Sequence, residues 1–182
     1  AWAFTGTLLV ASSVAQASDM QIYAVPTAGK KTIVMMLDTS GSMGGTDTGQ
    51  TGTRLTRLKA GMNAFLDSND ATLSNVSVGL GHYSLGSKRG KILVPAAPLG
   101  AVGSAHRTAL RNAVTGLSAS GSTPTAAAYA EAAAYLMGTT TLNYPNIYSG
   151  FNDSVASSKS GSNYISPLPP VADRVSCDGQ GR

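Results

Sequence analysis

The chain has 182 residues, 42% of them hydrophobic and 12% charged, with 21 glycines, a net charge of +4 and a mean hydropathy of +0.04. That composition suits one ordinary globular domain rich in small residues. The basic residues are scattered, at Lys30–Lys31, Arg54–Lys59 and Lys88–Lys91, with no aromatic-interleaved basic face, which argues against nucleic acid as a partner.

Residues 3–17 read A-F-T-G-T-L-L-V-A-S-S-V-A-Q-A, the apolar core of a secretory signal closing on Ala15-Gln16-Ala17. The run is too short for a comfortable membrane span, so residues 1–17 are expected to be a signal remnant and the mature chain to have no span. A retained anchor is the alternative. Residues 18–30 form a lead-in whose Met20, Ile22 and Val25 can pack as a sheet edge.

Residues 31–43, K-T-I-V-M-M-L-D-T-S-G-S-M, are the centre of the reading. The apolar run 32–37 suits a central parallel strand buried on both faces. Asp38, Ser40 and Ser42 then fall at alternate positions where that strand should end, the place where open α/β sheets bind ligands. Hard oxygen donors without a neighbouring His or Cys suit Mg²⁺ or Ca²⁺ rather than zinc or copper. Gly41 lets the turn fold back so that several oxygens converge.

Residues 44–53 read as a Gly/Thr loop with Asp47 as its only charge, either mobile or family-specific, hanging beside the Asp38 turn. Leu55, Leu58, Met62 and Phe65 make the stripe of an amphipathic helix over 54–66, capped by Thr53, with Gly61 permitting close packing on the sheet. Val76, Val78 and Leu80 alternate as a strand over 75–84. After a basic turn, residues 92–94 make a short strand stopped by Pro95 and Pro98, which suit an edge. Ser104 caps a helix to Thr115 with Ala109, Leu110, Ala113 and Val114 on one face. Thr123 reads as the N-cap of an alanine-dense helix with Pro124 in its first position, ended by Gly138. Glu131 is expected on that helix's exposed face, and His82 and His106 in structural or solvated rather than catalytic positions. Residues 139–176 form an irregular insertion, expected at the sheet end opposite the Asp38 turn. Cys177 awaits a partner beyond Arg182 or stays a free thiol.

D-T-S-G-S-M after an apolar strand resembles the metal-ion-dependent adhesion site of von Willebrand factor type A domains, pattern D-x-S-x-S. The later G-S-T-P-T resembles their G-x-T-P-T. The resemblance implies an α/β fold, a doubly wound and mostly parallel sheet with helices on both faces. It implies that Ser40 and Ser42 bind an ion through their hydroxyls, that Asp38 adds charge directly or through water, and that Thr123 is a conditional ligand. The ion is Mg²⁺, with Mn²⁺ or Ca²⁺ as alternatives, and the partner is a protein presenting Asp or Glu to it. The family's final Asp, in an apolar-T-D-G sequence, does not occur here, so residues 31–182 are expected to be a partial domain lacking its C-terminal half.

The lead-in D-M-Q-I-Y, the L-D-T-S-G-S-M-G turn and the G-S-T-P-T helix together resemble the N-terminal part of PilY/PilC-type proteins of bacterial type IV pili. That resemblance implies a secreted, pilus-tip adhesin and biogenesis factor meeting host surfaces or pilus components, with periplasm or outer membrane as alternative locations. Another exported bacterial type A protein, its metal chiefly structural, is the second reading. An aspartic-protease-like hydrolase is the remote third, because Ser40 interrupts the D-T-G-S pattern and no second copy occurs. No acid, base and nucleophile can be assembled, so no catalytic residue and no organic cofactor are assigned, and the chain reads as a non-enzyme.

Overall fold

The structure is a computed structural model that describes residues 31–84, 89–142 and 149–169. The signal-like residues 1–17, the lead-in 18–30 and Cys177 lie outside the described residues. The sheet comprises β1 (Lys31–Asp38), β2 (Val76–Tyr83) and β3 (Gly90–Pro98), in the order β1-β2-β3. β1 and β2 are parallel, joined by the crossover helix α1 (Arg54–Leu66), and β2 and β3 are antiparallel. Helices α2 (Ala105–Thr115) and α3 (Thr125–Met137) follow, then a small hairpin of β4 (Lys159–Ser160) and β5 (Asn163–Tyr164). This is the expected α/β architecture, with one hydrophobic cluster on each face of the sheet.

Strand order differs from expectation in one respect. β2, not β1, is the doubly buried strand: Val76 and the five residues from Val78 to His82 are buried, whereas in β1 only Leu37 is and Ile33 is exposed. Burial on both faces needs neighbours on both sides, and among the described residues only β2 has them. An apolar groove of about 360 Å³, lined by Val34, Met36, Tyr83, Ala128 and Tyr129, runs between β1 and α3.

β3 also corrects the sequence reading, since it runs through Pro95 instead of stopping there. Proline gives no N–H to a ladder, and the pairing shifts register around it, from Val94 opposite Leu80 to Ala97 opposite Val78. The Ala96 N–H beside the irregularity donates to the Tyr135 hydroxyl at 2.8 Å.

On one face α1 and α2 bury Leu55, Met62, Leu66, Leu110 and Val114 against Val78 and Leu80. Each helix also closes the C-terminus of the other. Arg107 of α2, 4% exposed, donates to the carbonyls of Leu66 and Ser68, and Lys59 of α1 donates to those of Thr115 and Leu117. Cations at helix C-termini satisfy orphan carbonyls and oppose the helix dipole. Arg107 thus takes the inward face expected of Ala109, which is exposed, and Gly61 faces open space instead of the sheet.

The other face is closed by α3 and residues 149–165, and here the reading of Glu131 is overturned. Glu131 is fully buried. Its carboxylate accepts from the Thr141 hydroxyl at 2.8 Å, the Gly150 N–H at 2.8 Å and the Tyr164 hydroxyl. Tyr135 and Phe151 each pack edge-to-face on the Tyr164 ring. Burial, then the hydrogen bond to Glu131, hold the Tyr164 hydroxyl well above its usual pKa. The insertion is also not confined to the far end of the sheet. Gly150 abuts Gly90, so closely that a Cβ there would lie 1.7 Å from the Gly90 carbonyl oxygen. Gly90 is level with Tyr83 and, through it, with Asp38.

A buried carboxylate held by three donors leaves each of them unsatisfied when removed. Glu131→Ala is therefore expected to cost about 3 kcal/mol in urea unfolding, and Glu131→Gln, which keeps an acceptor, about half that. An unchanged midpoint in the alanine variant would contradict this account.

Candidate metal centre

β1 ends at Asp38, and a single 3-10 turn, Gly41–Gly44, follows at once. Asp38 Oδ1 accepts from the Ser40 N–H at 2.7 Å, which curls the chain back over the strand end. Ser40, 1% exposed, and the exposed Ser42 then face each other with their hydroxyl oxygens 3.1 Å apart. Two adjacent ligands of an octahedron with 2.0–2.1 Å bonds are separated by about 2.9 Å. The hydroxyl pair therefore has the spacing of one edge of a Mg²⁺ shell, and the residues present fit such an ion. Among the described residues no group of three or more His, Cys, Asp or Glu could hold a metal.

The loop before α3 docks on this turn. The Gly41 N–H donates to the Gly121 carbonyl at 2.8 Å, and the Ser120 N–H to the Thr39 carbonyl at 2.9 Å. A Cβ on Gly41 would lie 3.2 Å from the Gly121 oxygen, and Gly121 has φ 78°, so both glycines serve the close approach. Asp38, Ser40 and Ser42 thus share one turn, and Thr123 follows two residues after the docked Gly121. Thr123 is not the helix cap expected of it. The N-cap position is Pro124, no side chain caps α3, and Thr123 is exposed. By contrast, Thr53 and Ser104 cap α1 and α2 as expected, accepting from the Thr56 and Arg107 N–H groups.

The loop over 44–53 is pinned rather than loose. Asp47 accepts from Arg54, at 2.6 Å, and from Arg57, and Arg54 also donates to the Ser42 carbonyl at 3.1 Å. Sequence reading missed this triad, although Asp47 as the only charge in the loop, ahead of two arginines one turn apart on α1, was its signal. Hydrogen bonds from Arg54 and then Arg57 hold the Asp47 carboxyl below its ordinary value of 3.8. His82 and His106 hold structural contacts, His82 Nδ1 with the Thr39 hydroxyl at 2.9 Å and His106 Nε2 with the Val78 carbonyl at 2.7 Å.

The described residues thus form an α/β domain with an oxygen-rich turn at the carboxyl end of its first strand. A family profile for the von Willebrand factor type A domain matches residues 33–149, and the chain belongs to that family. Type A domains are, as a class, protein-interaction modules that are generally non-catalytic. No curated protein matches the chain. Among solved structures it is similar to an uncharacterized membrane spanning protein from Vibrio fischeri, at 18% identity and a TM-score of 0.40. That match covers 53% of this chain and 44% of the other. No helix among the described residues is long and apolar enough to cross a membrane.

Because the folded Asp47 carboxyl titrates lower than an unfolded one, its ion pairs stabilise the loop above pH 3.8 and are lost as pH falls through the lower folded value. A carboxyl ¹³C titration should place the Asp47 midpoint below 3.8, and Asp47→Asn should increase the mobility of residues 42–50 without unfolding the domain. A midpoint at or above the ordinary value would contradict the pairing.

Proposed function

We propose that this domain is a metal-dependent protein-binding module, in which a divalent cation at the Asp38 turn receives a carboxylate from a partner protein. The observation that carries the reading is the 3.1 Å separation of the Ser40 and Ser42 hydroxyl oxygens beside Asp38. Ser40 and Ser42 would hold the ion directly. Asp38, with one carboxylate oxygen engaged by the Ser40 N–H, would contribute charge through the other or through water. Thr123, whose hydroxyl caps no helix, would be the conditional ligand from the second loop. A Mg²⁺ or Mn²⁺ ion there supplies a positive centre with exchangeable positions, one of which an Asp or Glu side chain can take. One carboxylate among neutral hydroxyls holds such an ion weakly, with affinity expected around 10⁻³ M.

The flanking D-M-Q-I-Y and G-S-T-P-T words support the narrower reading, an exported adhesin and biogenesis factor of type IV pili acting at the cell surface or pilus tip. A purely structural metal is the second reading, since an ion binding only the native state raises stability by mass action without any partner.

Calorimetric titration with Mn²⁺ should give weak binding that falls at least tenfold in Asp38→Ala and severalfold in Thr123→Ala, with α3 intact in both. Ser42→Ala separates the two roles. Lost affinity with an unchanged unfolding midpoint supports the binding module, whereas loss of the fold supports the structural role. Wild-type affinity in Asp38→Ala would overturn the metal reading altogether.

A further inference from the structure

We infer that His82 is a positioning residue for the metal turn, acting through the hydroxyl of Thr39; its metal readout, though not its structural one, rests on the reading above. Thr39 lies between the candidate ligands Asp38 and Ser40, yet it is fully buried and bonds in three directions. Its N–H donates to the Tyr83 carbonyl at 3.0 Å, and its carbonyl accepts from the Ser120 N–H at 2.9 Å. Its hydroxyl donates to the same Tyr83 carbonyl at 3.0 Å and lies 2.9 Å from His82 Nδ1.

A threonine hydroxyl has one proton. With that proton directed to Tyr83, the hydroxyl accepts from His82, which assigns the imidazole proton to Nδ1. His82 therefore orients Thr39, and Thr39 holds the turn of Ser40 and Ser42 against the loop that leads to Thr123. The placement of His82 allows it to serve both loops. It sits opposite Leu37 in the β1 register, one residue before Asp38, and it lines a cavity of about 350 Å³ with Leu117 and Ser118, which lead into the second loop.

The test compares His82→Leu, which removes the donor, with His82→Asn, whose side-chain N–H can replace Nδ1–H, and with Thr39→Val. Amide exchange is read in metal-free protein at Ser40, which donates to Asp38, and at Ser120, which donates to Thr39. Loss of one buried hydrogen bond should speed both amides about tenfold in His82→Leu and in Thr39→Val, with no further gain in the double variant. His82→Asn should restore most of the protection, and Mn²⁺ affinity should follow the same order. Unchanged exchange in His82→Leu, additive effects in the double variant, or an asparagine variant as open as the leucine one would overturn the inference. If His82→Leu fails to fold, the Asn and Thr39→Val comparison decides it. Absence of Mn²⁺ binding in the wild type would end the metal reading alone, because exchange is measured without metal.

Discussion

Two backbone hydrogen bonds, Gly41 N–H to the Gly121 carbonyl and Ser120 N–H to the Thr39 carbonyl, join turns separated by some eighty residues. The candidate site depends on them, since three of its oxygens belong to one turn and the fourth to the other. Each such bond contributes only about 1 kcal/mol net, too little to bring these segments together unaided. The work is done by the layers beneath. β1 and β2 set the position of the first turn through parallel pairing over their whole lengths, and α2 and α3 deliver the second turn from opposite faces of the sheet. The two hydrogen bonds then select one docking geometry from those that the layers leave open.

The two faces achieve this by different physics. The α1/α2 face is an apolar core in which each helix supplies a cation to the other's last carbonyls, so the helix pair is closed at both ends without a buried carboxylate. On the other face α3 is mostly alanine and itself buries little area, and hydrophobic burial scales with area. A polar lock compensates there: Glu131 gathers donors from Thr141, Gly150 and Tyr164, and the Tyr164 ring is packed edge-to-face by Tyr135 and Phe151. α3 carries the loop of Thr123 at its start, so the lock that seats the helix also bears on the geometry of the site.

What could be read from the sequence was local. The apolar run ending at Asp38, the helix over 54–66, the Thr53 and Ser104 caps and the Gly138 stop, with φ 70°, all rest on residues within a turn or two of each other. What escaped was set by distant partners. Glu131 looked like a solvated charge in an alanine helix because its donors lie 10, 19 and 33 residues later, in a stretch whose Ser, Asn and Gly content suggests a loop. β2 outranked β1 in burial because strand order is a property of the sheet, not of either strand. Pro95 failed to end β3 because an edge strand with a bulge tolerates a missing donor, and Thr123 gave up the N-cap position to Pro124, whose side chain caps nothing.

The charges around the candidate site do not favour the tight hold of a cation. Asp38 is the one carboxylate on the turn, while Arg54 places a guanidinium against the Ser42 carbonyl and Arg57 pairs with Asp47. Asp47 balances one of these two cations and Asp38 the other, so the turn and its flank are neutral overall. Such surroundings hold a cation less tightly than a cluster of carboxylates would, and repel an arriving carboxylate less. Both effects fade beyond about 10 Å at 0.1 M salt. An arrangement selected only to store a structural ion would be expected to gather carboxylates around it. In the proposed reading, hydroxyl ligands with arginines at the rim would leave a bound ion short of negative charge, which is the condition under which an acidic side chain from another protein would have most to contribute.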